Sequence, residues 1–360
     1  MRTPYKKSTV RDVALLAGVS QSAVSHYING RVSVCSPETA QRINNAIAEL
    51  HFTPARALRH QGRQATNTIG VCVSLPTEDE ASSSYTYLHR FWSGVSTVVD
   101  ERSYRIMHFP RSMRNAESCN PFLDGGIDGL LISSTTHDKR LEVLADAGLP
   151  TVCVTRSSNL PAGCGSVVVN ERDVAYLAMS HLWELGHRRI GYFGAPIGSG
   201  RFLGPIAEDA NDTAIKRHKY WWQWLADRRV DPTDLDIFVK GYDYIPLDIC
   251  LEAAEHWLTM PNPPTAIFCA SDRLAMSIMT ALKSRGLEIP RDMSVVGIDN
   301  EGTSAVYDPP LTSIEVPVFE TGRRAAQMLV DMVNGSTGSC LELPARQIMI
   351  RQSTCPPAGK

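Results

Sequence analysis

A row of polar side chains near the amino terminus has the chemistry to read the edges of DNA bases. Within residues 20–29, SQSAVSHYIN, the polar side chains Gln21, Ser22, Ser25 and His26 alternate with apolar ones at helical spacing. The amide of Gln21 can donate to and accept from an adenine edge at once, and the imidazole of His26 can form one hydrogen bond. A solvated helix face more often carries Glu and Lys, so this pattern favours a DNA-recognition helix.

The residues around this row indicate two short helices joined by a tight turn. Thr9 and Asp12 have the spacing of a capping box, so a first helix is predicted to begin at Val10. Gly18 tolerates the positive φ of a turn after a helix, and Ser20 can cap the helix that follows. Together these predict a helix-turn-helix unit, whose second helix lies in the DNA major groove. The alternative, an αα-hairpin of a larger helical protein, is disfavoured by the polar face of the second helix.

Charge is unevenly distributed along the 360 residues. Residues 1–65 contain nine Lys or Arg and three Asp or Glu, whereas the whole chain has a net charge of −2. A basic head on an acidic body is typical of a protein whose contact with nucleic acid is confined to one domain. The nine cysteines lack metal-ligand spacing, which indicates buried thiols in a reducing cytosol. Without an apolar run long enough for a membrane or a signal-peptide pattern, a cytoplasmic protein acting at the nucleoid is expected.

The DNA-binding head is predicted to occupy residues 1–51. A basic arm at residues 1–8 precedes its first helix, and Ser36 with Pro37 opens a third helix that completes the head. Residues 52–67 follow as a short Ala- and Arg-rich segment and a polar stretch. A helix of about eight residues is marginal alone in water. We therefore predict a hinge helix and linker that is ordered mainly on DNA or on a partner copy.

From residue 68 the chain alternates short β-branched runs with helical segments. Buried runs separated by helices indicate parallel α/β sheets, and their number favours two doubly wound subdomains. We predict an effector-binding and dimerisation domain at 68–355, and its two subdomains are roughly 68–165 plus 295–325, and 166–290 plus 326–355. In such sheets ligands bind at the carboxyl ends of the strands, here in the cleft between the subdomains.

The head motif from Thr9 to Asn29 resembles that of the LacI/GalR family of bacterial transcription regulators. The resemblance continues through GLPTVCVTR (148–156), LWELGHRRIGYFG (182–194), DRLAMSIMTALKSRGLEIPRDMSVVGIDN (272–300), PPLTSI (309–314) and RQST (351–354). It implies an α/β body of two doubly wound parallel-sheet subdomains, periplasmic-binding-protein-like, with a small all-α helix-turn-helix head. It also implies a homodimer with paired recognition helices, a hinge helix in the minor groove and a small-molecule effector.

The resemblance places Gln21, Ser22 and His26 at the positions that set base specificity in the family. Ser20, Ser25 and Asn29 are expected to hold phosphates and set the register on DNA. For Ser25, a hydroxyl bonded to its own helix backbone is an equal alternative. The full predicted DNA-binding set is Thr9, Ser20, Gln21, Ser22, Ser25, His26, Asn29, Leu58 and Arg59.

The hinge departs from the family pattern. Gln61 stands where the family usually has a leucine that wedges between central base steps and kinks the DNA. Leu58 lies one helical turn earlier on the same face. Either Leu58 is the wedge, or this protein bends its operator less. Arg56 and Arg59 keep the positive charge that a minor groove attracts.

The resemblance also names candidate effector contacts in the body. Asp272 matches an aspartate that hydrogen-bonds effector hydroxyl or amine groups, and Arg217 matches an arginine that clamps the effector. A carboxylate and a guanidinium converging on one cleft suit a polyhydroxylated or polar ring ligand. The alternative is that the two form a salt bridge across the cleft. Tyr87 and Tyr242 are candidates for stacking on a sugar face or a base.

These observations predict a sequence-specific DNA-binding transcriptional regulator, a repressor that binds a pseudopalindromic operator as a dimer. Its operator affinity would be modulated by a sugar or related metabolite. The alternative is a DNA-binding regulator controlled by a protein partner or without an effector, because Val169 replaces the family's cleft aspartate and residues 220–224 form an unusual aromatic run. A solute receptor with an unused head is disfavoured by the intact recognition helix.

The remaining motifs favour no enzyme, cofactor or metal. The chain has no complete dinucleotide, Walker, metal-ligand or catalytic-triad pattern. Only nine residues follow Arg351, too few for a heptad tail that could pair dimers. A dimer is therefore expected rather than a tail-linked tetramer.

Overall fold

The computed structural model places three helices in the head and two sheets in the body. It describes residues 9–28, 36–50, 65–73, 86–110, 113, 119–134, 138–157, 159–194, 213–231, 235–238 and 247–358. Among these residues, no helix combines the length and the apolar character needed to cross a membrane.

The head folds around a small apolar core shared by three helices. These are α1 (Val10–Ala17), α2 (Gln21–Ile28) and α3 (Pro37–Glu49), and the core residues are Val13, Ala14, Ala17, Val24, Ile43 and Ala46. The predicted capping box is confirmed, since Thr9 N–H donates to Asp12 Oδ2 at 2.7 Å and Asp12 N–H donates to Thr9 Oγ1 at 3.3 Å. Gly18 has a φ of 62°, as the turn requires. Arg42 on α3 donates to the carbonyls of Ala17 and Gly18 at 2.5 and 2.9 Å, which holds this turn against the third helix.

The described part of the body forms twelve strands in two sheets. The strands are β1 (Thr68–Cys72), β2 (Arg105–His108), β3 (Gly129–Ile132), β4 (Thr151–Cys153), β5 (Cys164–Val169), β6 (Ile190–Gly194), β7 (Asp236–Phe238), β8 (Ala266–Cys269), β9 (Ser294–Ile298), β10 (Thr312–Glu315), β11 (Cys340–Leu343) and β12 (Gln347–Met349). The first sheet has the order β11-β5-β4-β3-β1-β2 and is parallel throughout. The second has the order β12-β10-β9-β8-β6-β7 and is parallel except for β12 against β10. The prediction of two parallel α/β subdomains is confirmed.

Helices cover both sheets. They are α4 (Thr86–Glu101), α5 (Arg140–Asp146), α6 (Glu171–Glu184), α7 (Thr213–Asp227), α8 (Leu247–Leu258), α9 (Asp272–Ser284), α10 (Gly302–Val306) and α11 (Val318–Val333). In the first subdomain α11 packs on β3, β4 and β5 and crosses α4. In the second, α9 packs on β8 and β9, and α6 packs against α7. Most strands are buried on both faces, which explains their continuous apolar sequences.

The strand pairing corrects the predicted division of the carboxyl-terminal half. Residues 295–325 were expected in the first subdomain, but β9 and β10 pair in the second sheet. Residues 326–355 were expected in the second, but the carboxyl-terminal half of α11 and all of β11 belong to the first, whereas β12 pairs in the second sheet as expected. The chain therefore crosses between subdomains after β5, after β10 and after β11. An apolar run predicts a buried strand but does not indicate which strand pairs with it, because the pairing partner lies far away in the sequence.

Candidate DNA-recognition helix and effector cleft

Helix α2 presents its first residues to solvent. Ser20 precedes it, and its Oγ accepts a hydrogen bond from Ala23 N–H at 3.1 Å, as the predicted helix cap requires. Gln21 and Ser22 are exposed, and Ser22 Oγ lies 3.0 Å from Ser20 Oγ. His26, one turn further along, is half-buried, as is Ser25. The amino-terminal end of α2 therefore offers an amide and a hydroxyl to a base edge.

Of the other predicted DNA contacts, Thr9 has a structural role and three lie outside the described residues. The hydroxyl of Thr9 donates to Asp12 Oδ2 at 2.7 Å, within the capping box of α1. Asn29, Leu58 and Arg59 lie outside the described residues, as does most of the predicted hinge. Their assignments stay predictions.

The predicted clamp residue Arg217 lies buried on α7 with a carboxylate partner. Its Nε donates to Glu171 Oε2 at 2.5 Å, its NH2 group donates to Glu171 Oε1 at 3.3 Å, and its NH1 group donates to the Ala270 carbonyl at 2.6 Å. Glu171 opens α6 directly after Asn170, which caps that helix. Burial by itself lowers the pKa of Arg217, but the charges of Glu171 and Asp299 outweigh it and raise that pKa. The guanidinium is thus charged and already paired.

Tyr87 of the first subdomain interacts electrostatically with Arg217 and Glu171. It lies on α4, and its pKa is raised to about 12 by burial and by the negative charge of Asp299, against the opposing charge of Arg217. Burial likewise raises the pKa of Asp299 well above its ordinary value, although Arg217 opposes the shift. Lys216, beside Arg217, donates to Ser157 Oγ of the first subdomain at 2.6 Å. These residues share one electrostatic environment at the carboxyl ends of both sheets, the place where doubly wound folds bind ligands.

The carboxylate of Asp272 is hydrogen-bonded by other residues, although its charge contributes to the raised pKa of Asp299. Asp272 is fully buried at the start of α9, and both of its carboxylate oxygens accept hydrogen bonds. Oδ2 accepts from Glu301 N–H at 2.8 Å and Ser304 Oγ at 2.6 Å, while Oδ1 accepts from Ser313 Oγ at 2.6 Å. In this arrangement Asp272 ties α9 to β10 and α10. The predicted alternative of a salt bridge between Asp272 and Arg217 is wrong, because Glu171 holds the guanidinium.

Sequence reasoning missed Glu171 and Asp299. Glu171 follows the helix cap Asn170, and Asp299 follows a buried strand, so an acidic residue at a strand end was the available signal. Tyr242 lies outside the described residues and its role stays a prediction. In the described part of the chain, no group of three or more His, Cys, Asp or Glu side chains has an arrangement that could hold a metal ion.

The aromatic run on α7 belongs mainly to the core. Trp221 is fully buried and its Nε1 donates to the Ile190 carbonyl at 3.1 Å. Trp224 is also buried, whereas Tyr220 and Trp222 are half-buried. The run therefore packs α7 onto the second sheet.

The buried carboxyls behind the cleft predict a pH dependence of stability. The pKa of Glu301 is raised to about 7 by burial and by the charge of Asp272, whose own pKa burial raises to about 6. Both folded-state values lie above the unfolded ones, so the folded protein binds more protons between about pH 4 and pH 7. The free energy of unfolding should therefore fall as pH rises through this window, by roughly 3 kcal/mol for Glu301.

Urea unfolding at pH 4.5 and 7.5 tests this dependence. The free energy of unfolding should differ less between the two pH values in Glu301→Gln than in wild type. The exposed-site variant Glu288→Gln is the control, and equal differences in all three proteins would contradict the prediction.

Comparison with known proteins agrees with this architecture. Residues 9–55 match the family described as bacterial regulatory proteins, lacI family, and residues 179–354 match a periplasmic binding protein-like domain. Catabolite control protein A of Priestia megaterium is 28% identical over 356 residues, which cover 96% of this chain and 99% of that protein. The transcriptional repressor PurR of Shigella dysenteriae is 28% identical over 336 residues, 91% of this chain and 90% of that protein.

Two solved structures extend the likeness over almost the whole chain. A complex of the transcriptional regulator CelR with cellobiose has a TM-score of 0.69 at 26% identity, covering 96% of this chain and 100% of that one. The lac repressor dimer bound to operator and the anti-inducer ONPF has a TM-score of 0.63 at 24% identity, covering 97% and 100%, and shows the same fold. With the recognition helix, the two sheets and both family matches in place, the chain is a member of the LacI family of bacterial regulatory proteins, with that family's DNA-binding head on a periplasmic binding protein-like body.

Proposed function

We propose that this protein is a transcriptional repressor that binds a pseudopalindromic operator as a homodimer, in the cytoplasm at the nucleoid. The observation that carries the proposal is the exposed pair Gln21 and Ser22 at the start of α2, in a head whose cap and turn are intact. A dimer with two such helices reads two half-sites related by a two-fold axis. The basic charge of residues 1–65 supplies the attraction to phosphates.

Replacing Gln21 by alanine should weaken and relax operator recognition. Selection from a random duplex pool, at two fixed salt concentrations, first identifies the bound sequence. Gln21→Ala is then expected to lower affinity for that duplex by roughly 5- to 150-fold for each half-site, the effect of losing one bidentate base contact per protomer, and to tolerate a changed base at one position per half-site. Gln41→Ala, which removes an exposed glutamine from α3, is the matched control. An unchanged base preference in Gln21→Ala would remove this residue from base reading.

We further propose that a neutral polyhydroxylated molecule binds between Tyr87 and Arg217. Glu171 already neutralises the guanidinium, and Asp299 adds a second carboxylate to the same environment. The guanidinium of Arg217 therefore has no unpaired charge with which to attract a phosphate or a carboxylate. Glu171 and Ala270 accept from only some of the N–H groups of Arg217, so the others can donate to sugar hydroxyls. The Tyr87 ring can lie against a sugar face.

Thermal unfolding with paired probes tests the class of effector. Neutral sugars, cellobiose and glucose among them, are compared with glucose 6-phosphate and other phosphorylated counterparts. A matching neutral sugar at one hundred times its Kd should stabilise the folded protein by about 2.7 kcal/mol, and its phosphorylated form should not. Stabilisation by phosphorylated sugars alone would contradict the proposed class.

Control by a protein partner is the weaker alternative. Two observations suggested it, Val169 at the end of β5 and the aromatic run at 220–224. The run is explained by packing, because Trp221 and Trp224 are buried. The paired cluster around Arg217 favours a small molecule.

A further inference from the structure

The chain enters the first sheet through a compact set of hydrogen bonds. Thr66 donates to Asp128 Oδ1 through its backbone N–H and through its hydroxyl, both at 2.9 Å. Its carbonyl accepts from the NH2 group of Arg105 at 2.6 Å and from Thr68 Oγ1 at 3.1 Å. Asn67 has a φ of 49°, so the chain turns sharply at this point. We call this set, Thr66 with Asp128 and Arg105, the entry clamp.

The entry clamp is built from three adjacent strands. Arg105 begins β2, Asp128 directly precedes β3, and β1 lies between these two strands. Two backbone hydrogen bonds continue the pairing, from Arg105 N–H to the Asn67 carbonyl at 2.7 Å and from Asp128 N–H to the Thr68 carbonyl at 2.8 Å. The residues on both sides of β1 therefore hold the chain where it enters the sheet.

Asp128 is committed to this contact. It is buried, and in the described part of the chain its second oxygen, Oδ2, has no hydrogen-bond partner. An unpaired oxygen on a buried carboxylate costs free energy. Among the described residues, both hydrogen bonds to the side chain of Asp128 come from Thr66. The Asp128 carboxylate therefore serves to hold Thr66, where the chain reaches the sheet.

The entry clamp and the cleft lie at opposite ends of the same strands. In a parallel sheet the amino ends of β1, β2 and β3 lie on one side, and their carboxyl ends lie on the opposite side. The entry clamp is at the amino ends of these strands. The chain leaves β1 at its carboxyl end and continues to α4, which carries Tyr87. A five-residue strand spans roughly 16 Å, so the entry clamp is separate from the effector cleft.

We propose that the entry clamp fixes the point and direction at which the chain leaves the body for the DNA-binding head. Thr66, Asp128 and Arg105 are then positioning residues for DNA binding that touch neither DNA nor effector. The role in DNA binding rests on the proposed function. The fixing of the chain does not, because it can be tested without DNA.

Tryptic cleavage of the full chain tests the entry clamp directly. Trypsin can cut after Arg56, Arg59 and Arg63, and only the last of these lies within three residues of Thr66. Thr66→Val keeps the shape of the side chain but loses the hydroxyl, whereas Thr66→Ser keeps it. Arg105→Ala removes an exposed side chain from the entry clamp, and Arg102→Ala is its matched surface control.

Cleavage after Arg63, relative to cleavage after Arg56 and Arg59, should rise at least about tenfold in Thr66→Val and Arg105→Ala. That factor is the effect of losing one hydrogen bond to a charged group when proteolysis follows local opening. Thr66→Ser and Arg102→Ala should match wild type. An unchanged ratio in both clamp variants would overturn the inference.

The same variants are then titrated with the selected operator duplex. The two clamp variants are expected to bind it at least about fivefold more weakly than wild type, at a temperature at which the body of each variant remains folded. Faster cleavage with wild-type operator affinity would overturn the role of the entry clamp in DNA binding. If wild type prefers no duplex, the proposed function fails, and the cleavage ratio still decides whether the entry clamp holds the chain.

Discussion

Replacing Arg217 by methionine is expected to lower the free energy of unfolding of the body by about 3–5 kcal/mol. The guanidinium is buried and bonds both oxygens of Glu171, so its removal leaves a buried carboxylate without its countercharge. Breaking a buried pair from one side costs about this much, because the remaining charge stays desolvated. Urea unfolding at pH 7 measures the effect.

The double variant Arg217→Met with Glu171→Met distinguishes the pair from simple packing. Replacing both partners by apolar residues of similar volume is often neutral, so the double variant should regain most of the lost stability. Lys283→Met is the matched control, since its salt bridge with Asp308 is exposed and should contribute less than about 1 kcal/mol. If Arg217→Met is as stable as this control, the buried pair contributes nothing to stability.

The same double variant separates stability from effector binding. Because it should be folded yet lack the charged cluster, we expect no thermal stabilisation by the sugar that stabilises wild type. Retained stabilisation would place the effector away from Arg217.

Replacing Gly322 by alanine is expected to lower the free energy of unfolding by about 3 kcal/mol. Helices α4 and α11 cross with their backbones in contact, and a Cβ at Gly322 would collide with the carbonyl oxygen of Phe91. Gly94 meets the carbonyl of Phe319 in the same way from the other helix. Overpacking usually costs 1–3 kcal/mol, and the upper end applies because a backbone atom cannot rotate away as a side chain can.

Gly302→Ala is the matched control for this crossing. A Cβ at Gly302 would meet nothing within 4 Å, so the same substitution there should leave stability unchanged or raise it by up to about 1 kcal/mol. Urea unfolding of both variants makes the comparison. Equal stabilities of Gly322→Ala and Gly302→Ala would mean that the two helices can separate at little cost.

Much of the head could be read from the sequence because its signals act over a few residues. The capping box joins Thr9 to Asp12, the turn needs the left-handed backbone of Gly18, and the cap of α2 joins Ser20 to Ala23. Each contact forms between near neighbours, so residue type and spacing were sufficient. The same holds for the strands, whose apolar runs follow from burial on both faces.

The candidate site could be read only in part. The resemblance named Arg217 as a candidate and the stacking chemistry of an aromatic ring named Tyr87, and the structure brings the two into one electrostatic environment. Sequence reasoning did not identify Glu171 as the partner of Arg217, which lies 46 residues away. Sequence reasoning also proposed Asp272 as an effector contact, but it did not predict that Ser304 and Ser313 bond its carboxylate.

The sequence by itself determined the family, the helix-turn-helix head and the two-sheet body. Only the tertiary structure decided which sheet β9, β10 and β11 join, which carboxylate neutralises Arg217, and that Thr66 is held by Asp128. These contacts connect residues that are 46 or 62 positions apart. Local spacing is a property of the helix or strand itself, but a distant pair depends on how the strands are ordered and on which polar groups burial forces together.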